Sequence, residues 1–220
     1  MNGGPSLVPS NINSYIEALI PRRTSIIEEM EQYAFANHVP IMDLISAESI
    51  LQLLRIIEPK RILEIGAAIG YSSIRMAEAL PSTQIVTIER NQERYDKALE
   101  YFTKSQKTEQ IEILFGDALE LVPVAKQKGP YDVIFIDAAK GQYKRFFENY
   151  ESALSDEGVI ITDNVLFKGL VVEETIENRR RRQLVDKINS YNEWLMSNKN
   201  YHTTIIPVGD GVAISKKRGV

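Results

Sequence analysis

The sequence predicts an α/β fold: a doubly wound, mostly parallel sheet with helices on both faces, an antiparallel C-terminal hairpin strand and an N-terminal helical extension. Three observations predict it. From residue 61 onward, short apolar runs alternate with amphipathic stretches, as strands buried on both faces do between crossover helices. Near the end, two β-type runs at 201–208 and 212–216 are joined by Gly209, Asp210 and Gly211, a hairpin turn. Before residue 61 the chain reads as helices punctuated by prolines.

Taken in order, residues 9–57 hold three helices. Ser10 or Asn11 caps the first, Pro21 starts the second, and Pro40 closes it after His38. Ser46 serves as N-cap of the third and Pro59 stops it. Residues 1–58 are expected to form the extension, with packing and homodimer contact as its role. Residues 59–220 form the main domain. Its five buried strands are 61–65, 84–88, 111–115, 131–136 and 159–162. Helices fall between them near 72–80, 92–105, 119–126 and 143–154, and a long helix over 180–197 precedes the hairpin.

Composition narrows the chemistry. The chain has 220 residues, 44% hydrophobic and 25% charged, enough for one soluble α/β unit with a proper core. It has no cysteine, which removes disulfides, zinc–thiolate centres and a cysteine nucleophile. With only His38 and His202, a histidine-based triad or zinc site has no partners, so any metal is a hard cation held by oxygen. No apolar run spans a membrane and residues 1–11 are polar without a signal-peptide core, so the expected location is the cytoplasm. The net charge of -4 argues against a general nucleic-acid coat but leaves room for an RNA gripped by a local basic patch.

Ligands of an open α/β sheet bind beyond the carboxyl ends of its strands, and that is where the informative residues fall. Glu64, Gly66, Gly70 and Ser72 frame the turn from the first strand into its helix. Glycines there let backbone approach a ligand, and the helix N-terminus offers free N–H donors to a carboxylate. Glu89 ends the second strand, placed to accept ribose hydroxyls. Gly116, Asp117 and Ala118 end the third, where an adenine would sit. A glycine-rich βα turn alone occurs in every doubly wound protein, and this one lacks the Gly-x-Gly-x-x-Gly of dinucleotide sites. Together the three strand ends point to S-adenosylmethionine.

The fourth strand ends in Asp137 with Lys140 following, and the fifth in Asp163 and Asn164. Adjacent strands lie about 4.8 Å apart, which brings the three oxygen-bearing side chains together. Two carboxylates and an amide suit Mg²⁺ or another hard divalent cation. Any one of them alone could merely cap a helix.

The run from Glu64 to Asn164 resembles the catechol and caffeoyl-CoA O-methyltransferase family, a class I, Rossmann-like methyltransferase fold. It shares the Glu-x-Gly-x-x-x-Gly-Tyr-Ser loop at 64–72, the acidic residue at Glu89, and the Asp-x-x-Lys and Asp-Asn metal motifs at Asp137, Lys140, Asp163 and Asn164. The resemblance implies that Met42, ahead of the third helix, touches the cofactor, as does Asp137. It is closest to the bacterial branch that methylates 5-hydroxyuridine in tRNA.

These readings imply a methyl transfer in which the metal orients two neighbouring oxygens and Lys140 accepts the hydroxyl proton. Catechols fit, and so does 5-hydroxyuridine, whose hydroxyl neighbours a carbonyl oxygen. Arg179, Arg180, Arg181 and Arg182 oppose the dipole of the helix they start, so phosphate contact explains them better than propensity does. Arg22, Arg23, Lys144 and Arg145 would extend that patch, with Phe167 and Lys168 nearby. The sequence thus favours a tRNA anticodon loop as partner, with a small catechol-like or caffeoyl-CoA-type acceptor as the alternative. A binding module without catalysis ranks third, because every catalytic position is filled.

Overall fold

A computed structural model of the chain describes residues 10–219; the polar stretch 1–9, Pro9 included, lies outside it. The N-terminal part holds α1 (Ser10–Leu19), α2 (Ser25–Ala36) and α3 (Leu44–Ile57). There follow β1 (Arg61–Ile65), α4 (Tyr71–Ala79), β2 (Gln84–Glu89), α5 (Gln92–Lys104), β3 (Ile111–Phe115), α6 (Val122–Gln127) and β4 (Tyr131–Ile136). The remainder is α7 (Tyr143–Tyr150), β5 (Leu154–Thr162), α8 (Arg179–Ser197), β6 (Tyr201–Ile206) and β7 (Val212–Lys217). Among the described residues no helix is long and apolar enough to cross a membrane.

The strands form one sheet in the order β3-β2-β1-β4-β5-β7-β6. The first five are parallel, β7 runs antiparallel to β5, and β6 antiparallel to β7. This is the expected parallel sheet with its closing hairpin. The pleat sends alternate residues to opposite faces. Ile62, Ile85, Val133 and Ile161 enter a core roofed by α2 to α5, and Leu63, Val86, Ile134 and Ile160 one roofed by α6 to α8. Because Ile27, Met30, Ile50 and Leu54 are buried in the first core, α2 and α3 pack as part of the same body as the sheet.

Several element ends differ from the sequence reading. Pro21 does not start α2. Thr24 occupies its N-cap position, and the arginines between fold back onto the helix, Arg22 against Glu28 at 3.7 Å and Arg23 against Glu31 at 2.8 Å. Nor is Ser46 the cap of α3; Asp43 is. Its carboxylate accepts from the Ser46 N–H at 3.0 Å and the Ser46 hydroxyl at 2.6 Å, an ionised acceptor outcompeting a neutral one. Pro123 sets the start of α6, three residues later than expected. At the other end of the sheet, α7 stops at Tyr150. Leu154 pairs with Tyr131 across an irregular register, which begins β5 five residues early.

The second core closes on Phe147, fully buried on α7. Its ring meets Trp194 and Tyr201 edge-on with centroids 5.0 and 4.9 Å away. Phe147→Ala should therefore cost about 3–5 kcal/mol, read as a lower urea midpoint with an unchanged slope. A loss under 1 kcal/mol would mean that α8 and the hairpin are not held through this ring.

Candidate active site

The chain steps outward from β1 to β3 and then returns to lay β4 against the other side of β1, so the strand order reverses between β1 and β4. A crevice is expected at that reversal. It is present as a cleft of about 560 Å³. Its floor is stitched strand to strand: the Asp137 N–H donates to Ile65 O and the Asp163 N–H to Ile136 O, both at 3.0 Å. Backbone packing is tightest at Gly66, where φ is +106° and a Cβ would stand 2.1 Å from the Asp137 carbonyl oxygen.

One end of the cleft is built by β1, β2 and β3. The Gly66 and Ala67 N–H groups both donate to Ile88 O, and the Glu89 carboxylate receives the Ala68 N–H at 2.8 Å. Its other oxygen takes the N–H groups of Arg90 and Asn91 at 2.9 and 2.8 Å. Glu89 thus binds the glycine turn to its own strand end, while the oxygen facing Ala68 keeps a lone pair for a ligand. Gly116, Asp117 and Ala118, which follow β3, line the cleft there, and Ser72 and Met42 are also on its wall. The Asp117 carboxylate holds the Leu119 N–H at 2.9 Å, and the buried Ala118 carbonyl accepts the Tyr150 hydroxyl.

Glu64 sits elsewhere. The pleat turns it into the sheet's first face, where it is fully buried and absent from the cleft wall. Ser72, Ser73 and Thr87 donate their hydroxyls to it. Burial still raises its carboxyl above the usual range, the three donors opposing. Its route to a ligand is indirect, through Ser72.

The opposite end carries Asp137, Lys140, Asp163 and Asn164, all on the cleft wall. Asn164 adopts φ +63°, a left-handed conformation asparagine tolerates, which turns its amide back over β4. Its Nδ2 donates to Asp137 Oδ1 at 3.3 Å, and its N–H to Asp163 Oδ1 at 2.7 Å. Burial raises the Asp137 carboxyl above its ordinary value. Burial and the Asp137 charge push Asp163 up to about 8. Burial also lowers the Lys140 ammonium, against the pull of Asp137, Asp163 and Asp210. Its Nζ lies 5.8 Å from the centre of the Phe167 ring.

Among the described residues, no three His, Cys, Asp or Glu side chains gather into a metal-holding group. The hard-donor set is two carboxylates and an amide, and the amide would have to turn its oxygen inward to join them. What fits a divalent cation is the electrostatics: two desolvated carboxylates repel each other, and a double positive charge between them would relieve that repulsion.

Lys168, which the sequence reading placed beside the basic patch, lines the cleft, and so do Asp43, Arg90, Arg94 and Asp210, which that reading missed as site residues. Asp210 was readable only as part of a turn. Yet a hairpin strand antiparallel to β5 must place that turn at the carboxyl end of the sheet. Arg179, Arg180, Arg181 and Arg182 are exposed on the first turn of α8 and do not line the cleft. The Arg182 guanidinium caps the loop before it, donating to Ile176 O at 2.7 and 3.1 Å. Lys144 pairs with Glu148 at 3.7 Å and lies over the Trp194 ring, while Arg145 donates to Gln142.

A family model described as O-methyltransferase matches residues 19–218. Caffeoyl-CoA O-methyltransferase 1 of Arabidopsis thaliana is 29% identical over 227 residues, which cover 98% of this chain and 88% of the relative. A candidate caffeoyl-CoA O-methyltransferase from Staphylococcus aureus superposes with a TM-score of 0.88 at 40% identity, covering 93% of this chain and 98% of that one. An O-methyltransferase from Bacillus cereus, solved in complex with SAH, superposes at 0.81 with 26% identity over 94% of this chain and 97% of that one.

The site's electrostatics set a pH dependence of stability. Asp163 titrates near 3.8 in the unfolded chain and about 8 in the folded one, so between those values the folded state holds the extra proton. Stability from this group is greatest below the lower value and falls as pH rises toward the upper, by at most about 1.4 kcal/mol per pH unit. Urea unfolding in a chelator, from about pH 5 to about pH 8, should show this slope in the parent and lose it in Asp163→Asn. Equal slopes in the two proteins would refute the assignment.

Proposed function

The chain belongs to the O-methyltransferase family, and we propose that it moves a methyl group from S-adenosylmethionine to a hydroxyl with a second oxygen on the neighbouring carbon, in a small acceptor of the catechol or caffeoyl-CoA kind. One observation carries this reading: a single cleft has Glu89, the glycine turn and residues 116–118 at one end and Asp137, Asp163, Asn164 and Lys140 at the other. The relatives support it, since the Arabidopsis protein is a caffeoyl-CoA O-methyltransferase and the Bacillus structure holds SAH.

Each end has its task. The N–H groups of the first turn of α4 face the methionine carboxylate. Glu89 receives a ribose hydroxyl on its remaining lone pair, and residues 116–118 flank the adenine. The donor arrives with its methyl group already activated on a sulfonium, so the protein must align the acceptor oxygen behind that carbon and remove its proton. As the methyl leaves sulfur for oxygen, Lys140 Nζ takes the hydroxyl proton; burial favours the neutral amine that this needs. Asp137, Asp163 and Asn164 would hold Mg²⁺ or a similar ion, which when bound lowers the hydroxyl pKa and orients the two oxygens.

A second reading takes 5-hydroxyuridine in a tRNA anticodon loop as acceptor, the Arg179–Arg182 run holding phosphates. Its support is the exposure of these arginines. Their position off the cleft wall, and relatives named for caffeoyl-CoA, weigh toward the first reading.

Methyl transfer assayed side by side on catechol, caffeoyl-CoA and tRNA bearing 5-hydroxyuridine decides between them; turnover of the tRNA alone would overturn the small-acceptor reading. A chelator should abolish turnover and Mg²⁺ restore it, and full activity in excess chelator would remove the metal from the proposal. The rate should rise with pH as Lys140 loses its proton, in a limb displaced below the 10.5 of an ordinary lysine. Lys140→Met should lower kcat about 10²-fold or more and erase that limb while leaving S-adenosylmethionine affinity intact. A limb that persists in Lys140→Met assigns the base elsewhere.

A further inference from the structure

The turn between β6 and β7 sits at the carboxyl end of the sheet, since Ala213 faces Thr162 across the antiparallel pair. It has no room for side chains at its glycines. A Cβ on Gly209 would stand 1.8 Å from Ser46 Oγ and 2.4 Å from Asp43 Oδ2, and one on Gly211 2.3 Å from Leu166 Cγ. The turn is therefore wedged between the N-cap of α3 and the loop that follows Asp163 and Asn164. Backbone bonds lock it there: the Asp210 carbonyl accepts the N–H groups of Leu166 and Phe167 at 2.8 and 3.2 Å, and the Gly211 carbonyl that of Val165 at 2.9 Å.

Only the Asp210 side chain is left uncommitted. It is half-buried on the cleft wall, and its carboxylate has no hydrogen bond or ion pair among the described residues. Burial raises its carboxyl above the ordinary value, with Lys168 and Lys140 pulling the other way and Asp43 adding to the rise. A rigidly delivered, partly desolvated carboxylate without a donor is costly, and a donor from a ligand removes that cost. An ionised carboxylate can only accept, which fixes the kind of group it selects. Its position follows from the register: Asp137 and Asp163 are level at the ends of β4 and β5, and Asp210, ahead of the neighbouring β7, lies two residues further out, near enough to act on both Asp137 and Lys140.

We propose that Asp210 is a specificity-determining residue of the acceptor end, accepting a hydrogen bond from a hydroxyl or N–H next to the two oxygens held at Asp137, Asp163 and Asn164. The preferred acceptor thus carries three consecutive polar positions on its ring, the outermost a donor. This rests on the reading of the cleft as a site for a hydroxyl with a neighbouring oxygen.

Catechol and pyrogallol, which differ by that third hydroxyl, are the probes for steady-state methyl transfer by the full chain. The parent should favour pyrogallol in kcat/KM by about tenfold, the scale of one hydrogen bond to a charged group. Asp210→Ala should bring the ratio to within about threefold of unity, the pyrogallol KM rising more than that of catechol. Asp210→Asn, which keeps the shape and an uncharged acceptor, should fall between, and it serves should the alanine variant not fold. If the parent methylates both acceptors and the ratio survives in Asp210→Asn and Asp210→Ala, this proposal alone is overturned. If the parent methylates neither, the reading of the cleft fails and takes the proposal with it.

Discussion

The turn after β1 lies directly against the end of β4, and the geometry of the site depends on that contact. Gly66 lies so near the Asp137 carbonyl that any side chain there would overlap it. Because of that contact, the glycine turn that opens α4 and the carboxylate that ends β4 share one floor rather than two separate crevices. Hydrogen bonds then carry the alignment sideways, from Glu89 into the turn on one flank and from Asp163 to the end of β4 on the other. A methyl donor and its acceptor must meet within a bond's length of each other. In the proposed reaction the glycine contact would bring the two sets of groups that receive them together at the height of one strand end.

That proximity has an electrostatic cost. Glu64, Asp137 and Asp163 are all carboxylates pulled out of water within one layer of the fold, and burial raises each of them above its ordinary value. The chain answers differently at each. Glu64 receives three hydroxyl donors and is a closed structural unit. Asp163 receives one backbone N–H, and Asp137 an amide at the edge of hydrogen-bonding distance. Lys140 supplies compensating charge without forming an ion pair with either. Full satisfaction marks the residue that holds the turn in shape; incomplete satisfaction marks the two whose remaining lone pairs face the cleft. The division between support and chemistry can be read from the hydrogen bonds alone.

Much of this was legible in the sequence, for a physical reason. Buried parallel strands need continuous apolar runs, and those runs announce both the strands and the residues that end them. Asp137, Asp163, Asn164 and Glu89 were therefore found by position. Glu64 shows the limit: it belongs to the turn motif, yet strand alternation points its side chain away from the cleft, and only the register settles which face it takes. The α3 cap shows another. Ser46 and Asp43 are both good capping residues, and the choice turned on a charge–hydroxyl contact within the first turn. Asp210 was hidden because its neighbours are glycines, and Gly-Asp-Gly reads as turn chemistry whatever the aspartate does. The arginine run was conspicuous for its charge, but nothing in sequence spacing says that the loop before α8 carries it away from the cleft wall.

The N-terminal helices are bound into the site by two routes that meet from opposite sides. Through the first, Tyr71, at the start of α4 and on the cleft wall, donates its hydroxyl to Glu31 of α2 at 2.9 Å. Arg75 then links that hydroxyl to Glu48 of α3. Through the second, the Gly209 turn presses on Ser46 and Asp43, so the β-hairpin at the far edge of the sheet braces the cap of α3. Between these two anchors runs the stretch from Pro40 to Asp43, which forms part of the cleft wall and includes Met42. A segment held by side chains of α4 on one side and by the backbone of the hairpin turn on the other is tied to the glycine turn and to the loop after β5. The extension is thus the third wall of the cleft. Its position is set by the same two elements that carry the proposed cofactor and acceptor ends, so the three walls are coupled.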